Sequence, residues 1–108
     1  MTPTGYLSVY KTHRNIVSSM HARHPWFTES SGPLLTCLEA KPLRVQDVAY
    51  QLNTTQQAAG KLLTAYEARG LIVSAAGVDR RARVSELTPA GREVLKQYTS
   101  ACQLWRDD

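Results

Sequence analysis

Apolar residues recur at steps of three and four along most of the chain, which is the spacing of one face of a helix. The pattern predicts five helices, which cover residues 5–23, a segment from Gly32 to Lys41, residues 44–52, residues 56–69 and residues 89–105. Proline at or near the start of the second and fifth segments suits a first helical turn. The chain is therefore expected to be mainly α-helical.

The segment after the fourth predicted helix changes to the pattern of β-strands. Residues 71–75 form a β-rich run, and residues 83–87 alternate polar and apolar side chains around a turn that contains Gly77 and Asp79. Two such runs separated by a turn predict an antiparallel hairpin. We assign this hairpin to residues 71–88.

A short polar break, residues 53–55, separates the third helix from the fourth. Asparagine tolerates the left-handed conformation of a turn, and either Thr54 or Thr55 can cap the next helix. Two helices joined in this way predict a helix-turn-helix at residues 44–69, and the hairpin after it is a wing. The expected fold class is α+β and mainly α: a single winged helix-turn-helix domain over residues 1–108, with about five helices and a two-stranded wing.

The side of the fourth helix that faces away from its apolar stripe carries amides, a lysine and small residues. Amide side chains can bond adenine in a bidentate manner, and a lysine can reach guanine or a phosphate. An ordinary solvated face is the alternative, although such faces usually carry more glutamate. The expected DNA-binding positions of this helix are Thr55, Gln56, Gln57, Gly60, Lys61 and Thr64.

The wing has an arginine cluster, Arg80, Arg81 and Arg83, next to Asp79. The negative potential of a narrow minor groove attracts inserted arginine, so these residues are expected to bind DNA beside the helix. Asp79 could hold one arginine by an ion pair and leave another for the groove. A hairpin tip that arginine keeps soluble is the alternative.

Composition adds limits to this picture. The chain has 108 residues, a net charge of +4 and a pI of about 9.3, which is compatible with an acidic partner such as DNA. Cys37 and Cys102 have no metal or disulfide spacing, so a reducing compartment is expected. No signal peptide or membrane-spanning run is visible, and a cytoplasmic location is expected.

The sequence predicts neither catalysis nor a cofactor. The sequence pattern pairs no serine or cysteine with a general base, as a catalytic nucleophile would require. It also contains no glycine-rich loop of the kind that binds phosphate. His21 and His24 are three residues apart, a spacing that metal sites use, but no further ligand lies beside them in sequence. We therefore expect no enzyme activity, no cofactor and no metal.

Three sequence phrases resemble the MarR family of bacterial winged-helix regulators. They are Val48-Ala49-x-x-Leu52, then Leu62-x-x-x-Tyr66-x-x-x-Gly70-Leu71-Ile72, then Asp79-x-Arg81-x5-Leu87-Thr88-x-x-Gly91. The resemblance implies a homodimer on a pseudo-palindromic DNA site, usually as a repressor. By position it also implies major-groove contacts and a minor-groove contact, which fall on Gln56, Gln57, Lys61 and Thr64 and on Arg81. Two positions depart from the family: Arg44 stands where Ser or Thr usually caps the third helix, and Tyr66 where Leu is usual.

The terminal helices, residues 5–24 and 89–105, are expected to form the dimer interface, since so short a domain cannot cover both of their apolar stripes. The alternative is that these helices fold back on their own chain. The expected interface residues are Tyr6, Val9, Tyr10, His13, Ile16, Val17, Met20, Val94, Tyr98 and Trp105.

The sequence thus predicts a homodimeric transcriptional regulator whose partner is double-stranded DNA. The alternative is a winged helix that acts by protein contacts, on a polymerase or on another regulator. No membrane partner is expected. The resemblance allows a small-molecule effector, but no residue pattern supports one.

Overall fold

The computed structural model describes residues 3–76 and 83–106, and it describes side chains for residues 13–75 and 83–103. Within these residues the elements are α1 (Pro3–Arg23), α2 (Ser31–Cys37), α3 (Val45–Gln51), α4 (Gln56–Ala68), β1 (Ile72–Ala76), β2 (Arg83–Leu87) and α5 (Pro89–Arg106). The five predicted helices and the two-stranded hairpin are confirmed. The tip of the wing, which carries Arg80 and Arg81, lies outside the described residues.

Helix α2 ends earlier than the sequence predicts. The prediction placed its end at Lys41, next to Pro42, but the helix stops at Cys37. The reason is a tight turn in which the Glu39 N–H donates to the Thr36 carbonyl oxygen at 3.2 Å. Such a bond spans three residues instead of four and closes the last helical turn.

The core lies where the apolar stripes of the helices meet the inner face of the hairpin. Its buried side chains come from all five helices and both strands, and from the segments that join α1 to α2, α2 to α3 and α4 to β1. Members of this cluster include Phe27, Leu34, Leu35, Leu38, Val48, Ala59, Leu63, Ile72 and Leu95. Helix α3 packs on α4, and α1 packs along α5.

The hairpin pairs antiparallel, with Ile72 opposite Leu87 and Ala76 opposite Arg83. A further residue, Leu43, joins the outer edge of β2. The Leu43 N–H donates to the Ser85 carbonyl at 3.0 Å, and the Ser85 N–H donates to the Leu43 carbonyl at 2.8 Å. This pairing attaches the segment before α3 to the wing. A pairing of one residue has no periodicity, so the sequence pattern could not predict it.

Thr88 connects the end of α4 with the start of α5. Its hydroxyl donates to the Gly70 carbonyl at 2.6 Å and accepts the Gly91 N–H at 3.1 Å. Gly70 has φ +77°, the left-handed conformation expected where a helix ends. A Cβ at Gly91 would collide with the Leu71 carbonyl, so the chain approaches itself closely at this position.

The terminal helices bury part of their apolar stripes within one chain. Ile16, Met20 and Val94 are only 5%, 1% and 6% exposed within one chain. One chain therefore already covers them: α1 packs along α5, and Met20 and Val94 belong to the core. Their place in a dimer interface stays a prediction. For these three residues, burial within one chain favours the fold-back alternative.

The remaining predicted interface residues divide into two groups. His13, Val17 and Tyr98 are half-buried. The side chains of the others, Tyr6, Val9, Tyr10 and Trp105, lie outside the described ones, although all four positions belong to α1 or α5.

Tyr98 packs inside the chain. Its ring centre lies 5.8 Å from that of Phe27, and the ring sits against the backbone of Gly32. Burial, with a smaller effect of the neighbouring Cys102, raises the pKa of Tyr98 to about 12. The hydroxyl therefore stays protonated at neutral pH.

Gly32→Ala should lower the free energy of unfolding by about 1–3 kcal/mol, because the new Cβ would lie 2.6 Å from the Tyr98 hydroxyl oxygen and the packing would have to shift. The matched control is Gly60→Ala in α4, where the nearest atom, Val45 Cγ2, is 3.9 Å from the new Cβ. That change should stabilise the chain by about 0.5–1 kcal/mol, since alanine loses less backbone entropy in a helix. Urea unfolding measures both. Equal stabilities of the two variants would contradict the packing of Tyr98 on Gly32.

Candidate nucleic-acid interface

The start of α4 is fixed by the turn before it. Asn53 has φ +53°, as the turn prediction required, and the Thr54 N–H donates to the Ala49 carbonyl at 2.9 Å. Thr55 is the cap: its hydroxyl oxygen accepts the Ala58 N–H at 3.1 Å. The structure thus decides between the two threonines that the sequence left open.

The inner side of α4 is set by three buried residues, Ala59, Leu63 and Tyr66. At about 100° per residue, the opposite side holds Gln57, Lys61 and Thr64. All three are exposed, as is Gln56 in the first turn. The predicted amide and lysine face therefore lies in solvent, free to meet a partner.

Gly60 lies at the edge of that face, in the same row as Gln56 and Thr64. It is half-buried and is directed toward α3, where Val45 is its nearest neighbour. The interpretation that Gly60 lets bases approach the helix stays a prediction. A Cβ would also find ordinary contact there, so the position does not require glycine.

Arg44 is a candidate residue that the sequence interpretation missed. It is exposed and lies between two anchored neighbours: Leu43 pairs with β2, and Val45 faces α4. Its side chain therefore starts between the exposed face of α4 and the base of the wing. The Arg44 carbonyl accepts the N–H groups of Asp47 and Val48 at 3.1 Å, and its side chain forms no cap bond. The signal that could have identified Arg44 from the sequence is its basic side chain at a position where a helix cap is expected.

One of the three wing arginines can be located. Arg83 is exposed at the first position of β2, at the open end of the described hairpin. Alternation puts it on the same face as Ser85 and Leu87, which are buried. Arg83 therefore continues the inner face of the wing beyond the edge of the core.

The two histidines of the weak metal pattern have protein partners. His24 Nε2 lies 2.8 Å from Gln97 Oε1, and His21 Nδ1 lies 3.1 Å from the Phe27 carbonyl oxygen. Over the described residues, no three His, Cys, Asp or Glu side chains are grouped as a metal site would require. In the same part of the chain, no helix is long and apolar enough to cross a bilayer.

No protein-family model and no curated protein sequence matches the chain. Solved structures do match it in fold. The MepR–DNA complex of S. aureus superposes with a TM-score of 0.79 at 21% identity, covering 94% of this chain and 84% of that one. RV1404 of Mycobacterium tuberculosis gives 0.82 at 21% identity over 94% and 71% of the two chains.

A MarR-family transcriptional regulator from Silicibacter pomeroyi gives a TM-score of 0.76 at 23% identity, covering 97% of this chain and 73% of that one. The chain therefore has a MarR-like winged helix-turn-helix fold, in agreement with the class indicated by its sequence phrases. Identities this low establish the fold, and the function must be argued from the chain's own residues.

Thr55→Ala should lower the free energy of unfolding by about 1 kcal/mol, because it removes the acceptor of the Ala58 N–H at the start of α4. Thr54→Ala is the matched control: this exposed neighbour is held through its backbone N–H, which the change keeps. Thermal or urea unfolding measures the difference. A larger loss for Thr54→Ala than for Thr55→Ala would contradict the assigned cap.

Proposed function

We propose that the chain binds double-stranded DNA as a homodimeric transcriptional regulator, and that it acts as a repressor. In this proposal α4 enters the major groove, and an arginine of the wing enters the minor groove. The observation that carries the proposal is the exposed face of α4, where Gln57, Lys61 and Thr64 stand opposite the buried stripe. An α-helix fits the major groove, and these side chains carry the donors and acceptors that read base edges.

Charge supports the same surface. Arg44 stands between α4 and the wing, the part of a winged helix that crosses the DNA backbone when α4 is in the groove. A cation at that point suits a phosphate. Arg83 extends the basic surface along the wing, and the chain as a whole carries a net charge of +4.

The similar structures support the proposal in a coarser way. MepR was solved bound to DNA, and the Silicibacter pomeroyi protein is a MarR-family transcriptional regulator. This chain has the same fold over most of its length, and the first turn of its own α4 carries no acidic residue. A DNA-binding function requires the protein to be in the compartment that holds the genomic DNA. This requirement agrees with the cytoplasmic location expected from the sequence.

We propose that the dimer forms through the ends of the terminal helices farthest from the core. In α1 between residues 13 and 23 and in α5 between residues 92 and 103, the exposed side chains are polar, apart from Ala22. The apolar stripe of α1 continues by its spacing through Tyr10, Val9 and Tyr6, and that of α5 reaches Trp105. Pairing these ends by a two-fold axis would bury them and set two α4 helices toward one face of DNA.

The test starts from duplexes selected by the chain from a random pool. Two chains should bind one selected inverted repeat. Gln57→Ala or Lys61→Ala should relax the preference for one base pair per half-site by about 1–3 kcal/mol. Arg44→Ala should weaken binding to all sequences alike and reduce the salt slope by about 0.9 for each phosphate that it no longer neutralises. Lys96→Ala, an exposed lysine of α5, is the matched control and should change neither quantity.

Fluorescence anisotropy between 50 and 200 mM salt measures affinity and slope together. Equal, unselective binding by the parent chain and all variants would contradict the proposal. That result would favour the protein-contact alternative, in which the exposed face of α4 binds a polymerase or another regulator.

A further inference from the structure

The segment between α1 and α2 contacts the far half of α4 through an aromatic cluster. The Trp26 ring meets the Tyr66 ring edge-on, with ring centres 5.5 Å apart and planes at 74°. Arg69, at the end of α4, places its guanidinium carbon 5.4 Å from the centre of the Trp26 ring. Edge-on aromatic pairs and cation–π contacts both depend on orientation, so the cluster favours one placement of the helix end.

A buried hydrogen bond also holds the C-terminal half of α4. Ser31, the first residue of α2, is fully buried, and its hydroxyl oxygen accepts the Thr28 N–H at 2.9 Å. The same hydroxyl is hydrogen-bonded to the Tyr66 hydroxyl, which is buried as well. An unpaired buried hydroxyl is costly, so any shift of α4 that separates Tyr66 from Ser31 is opposed.

The segment is also attached to the terminal helices. His24, next to the end of α1, is hydrogen-bonded to Gln97 of α5 at 2.8 Å. Its ring lies 5.3 Å from the Trp26 ring, centre to centre. The contacts therefore run from α5 through His24 and Trp26 to α4. We call Trp26, Ser31, Tyr66 and Arg69 the aromatic joint.

We infer that the aromatic joint sets the angle of α4 relative to the α1–α5 pair, and that Trp26 and Tyr66 are positioning residues for DNA recognition. The inference rests on the proposed function. Helix α4 has 13 residues and is about 20 Å long. A tilt of about 10° moves its end by roughly 3.5 Å, which is one base-pair step. In a dimer whose α1–α5 pairs are joined, the joint therefore selects the spacing of the two half-sites.

The test compares Tyr66→Phe with Tyr50→Phe in the full-length chain. Each change removes one tyrosine hydroxyl, but Tyr50 is 86% exposed on α3 and lies outside the joint. Both variants are titrated with inverted repeats whose spacers differ by one and two base pairs from the selected one. The same variants are titrated with a duplex that carries a single half-site.

The parent chain should prefer one spacer. Tyr66→Phe should lose about three- to tenfold affinity for that spacer, the range of one hydrogen bond, while neighbouring spacers lose less. Its binding to the single half-site should stay within about twofold of the parent chain, the range of coupling between independent sites. Tyr50→Phe should keep the parent's spacer profile.

A double variant separates positioning from simple loss of stability. If the two hydroxyls act as one unit, Ser31→Ala combined with Tyr66→Phe should flatten the spacer profile no more than the stronger single change. Unfolding midpoints confirm that each variant is folded at the temperature of the assay. Loss of stability alone would lower binding to every duplex by the same factor.

The outcomes distinguish the two proposals. An unchanged spacer profile in Tyr66→Phe, with the parent chain still selective, overturns the joint and leaves DNA binding intact. A parent chain that binds no duplex selectively overturns the proposed function itself.

Discussion

The packing of α3 on α4 is the interaction on which the rest of the structure depends. Ala59, Leu63 and Tyr66 turn inward in α4, and Val48 and Ala49 turn inward in α3. Because the side chains of a helix have a fixed angular order, burying one side of α4 forces the other side into solvent. The proposed reading surface is thus a geometric consequence of the core. A loss of core packing would disturb the surface without changing any residue on it.

The fold could be predicted well from the sequence because its signals are local. Each signal acts within a few residues: the spacing of apolar positions in the helices, the left-handed conformation of Asn53, the end of α4 at Gly70, and the start of α5 at Thr88–Pro89. What the sequence could not supply was which apolar stripe meets which. An apolar stripe indicates that one face of a helix is buried, but it does not show which surface covers that face. For this reason the sequence could not show that Ile16, Met20 and Val94, predicted to lie in a dimer interface, are already buried within one chain.

The candidate site shows the same limit on a smaller scale. The exposed positions of Gln57, Lys61 and Thr64 follow from their angular distance to the apolar stripe, so periodicity predicted them. Gly60 lies only about 60° around the helix from the buried stripe, so periodicity alone does not show that it is half-buried beside Val45. Arg44 gains its place from the Leu43 pairing with β2, a long-range contact that leaves no periodic pattern. Tyr66 was noted only as an unusual residue, and its bond to Ser31 gives that departure a physical reason.

The central claim is that the surface opposite the buried stripe of α4 meets DNA. The most direct measurement is an amide chemical-shift map of the ¹⁵N-labelled chain, titrated with a short duplex at low ionic strength. We expect the largest shifts along the first turns of α4 and at Arg44, with small shifts along α5 between residues 92 and 103. Shifts concentrated on α5, or a spectrum that no duplex changes, would contradict it.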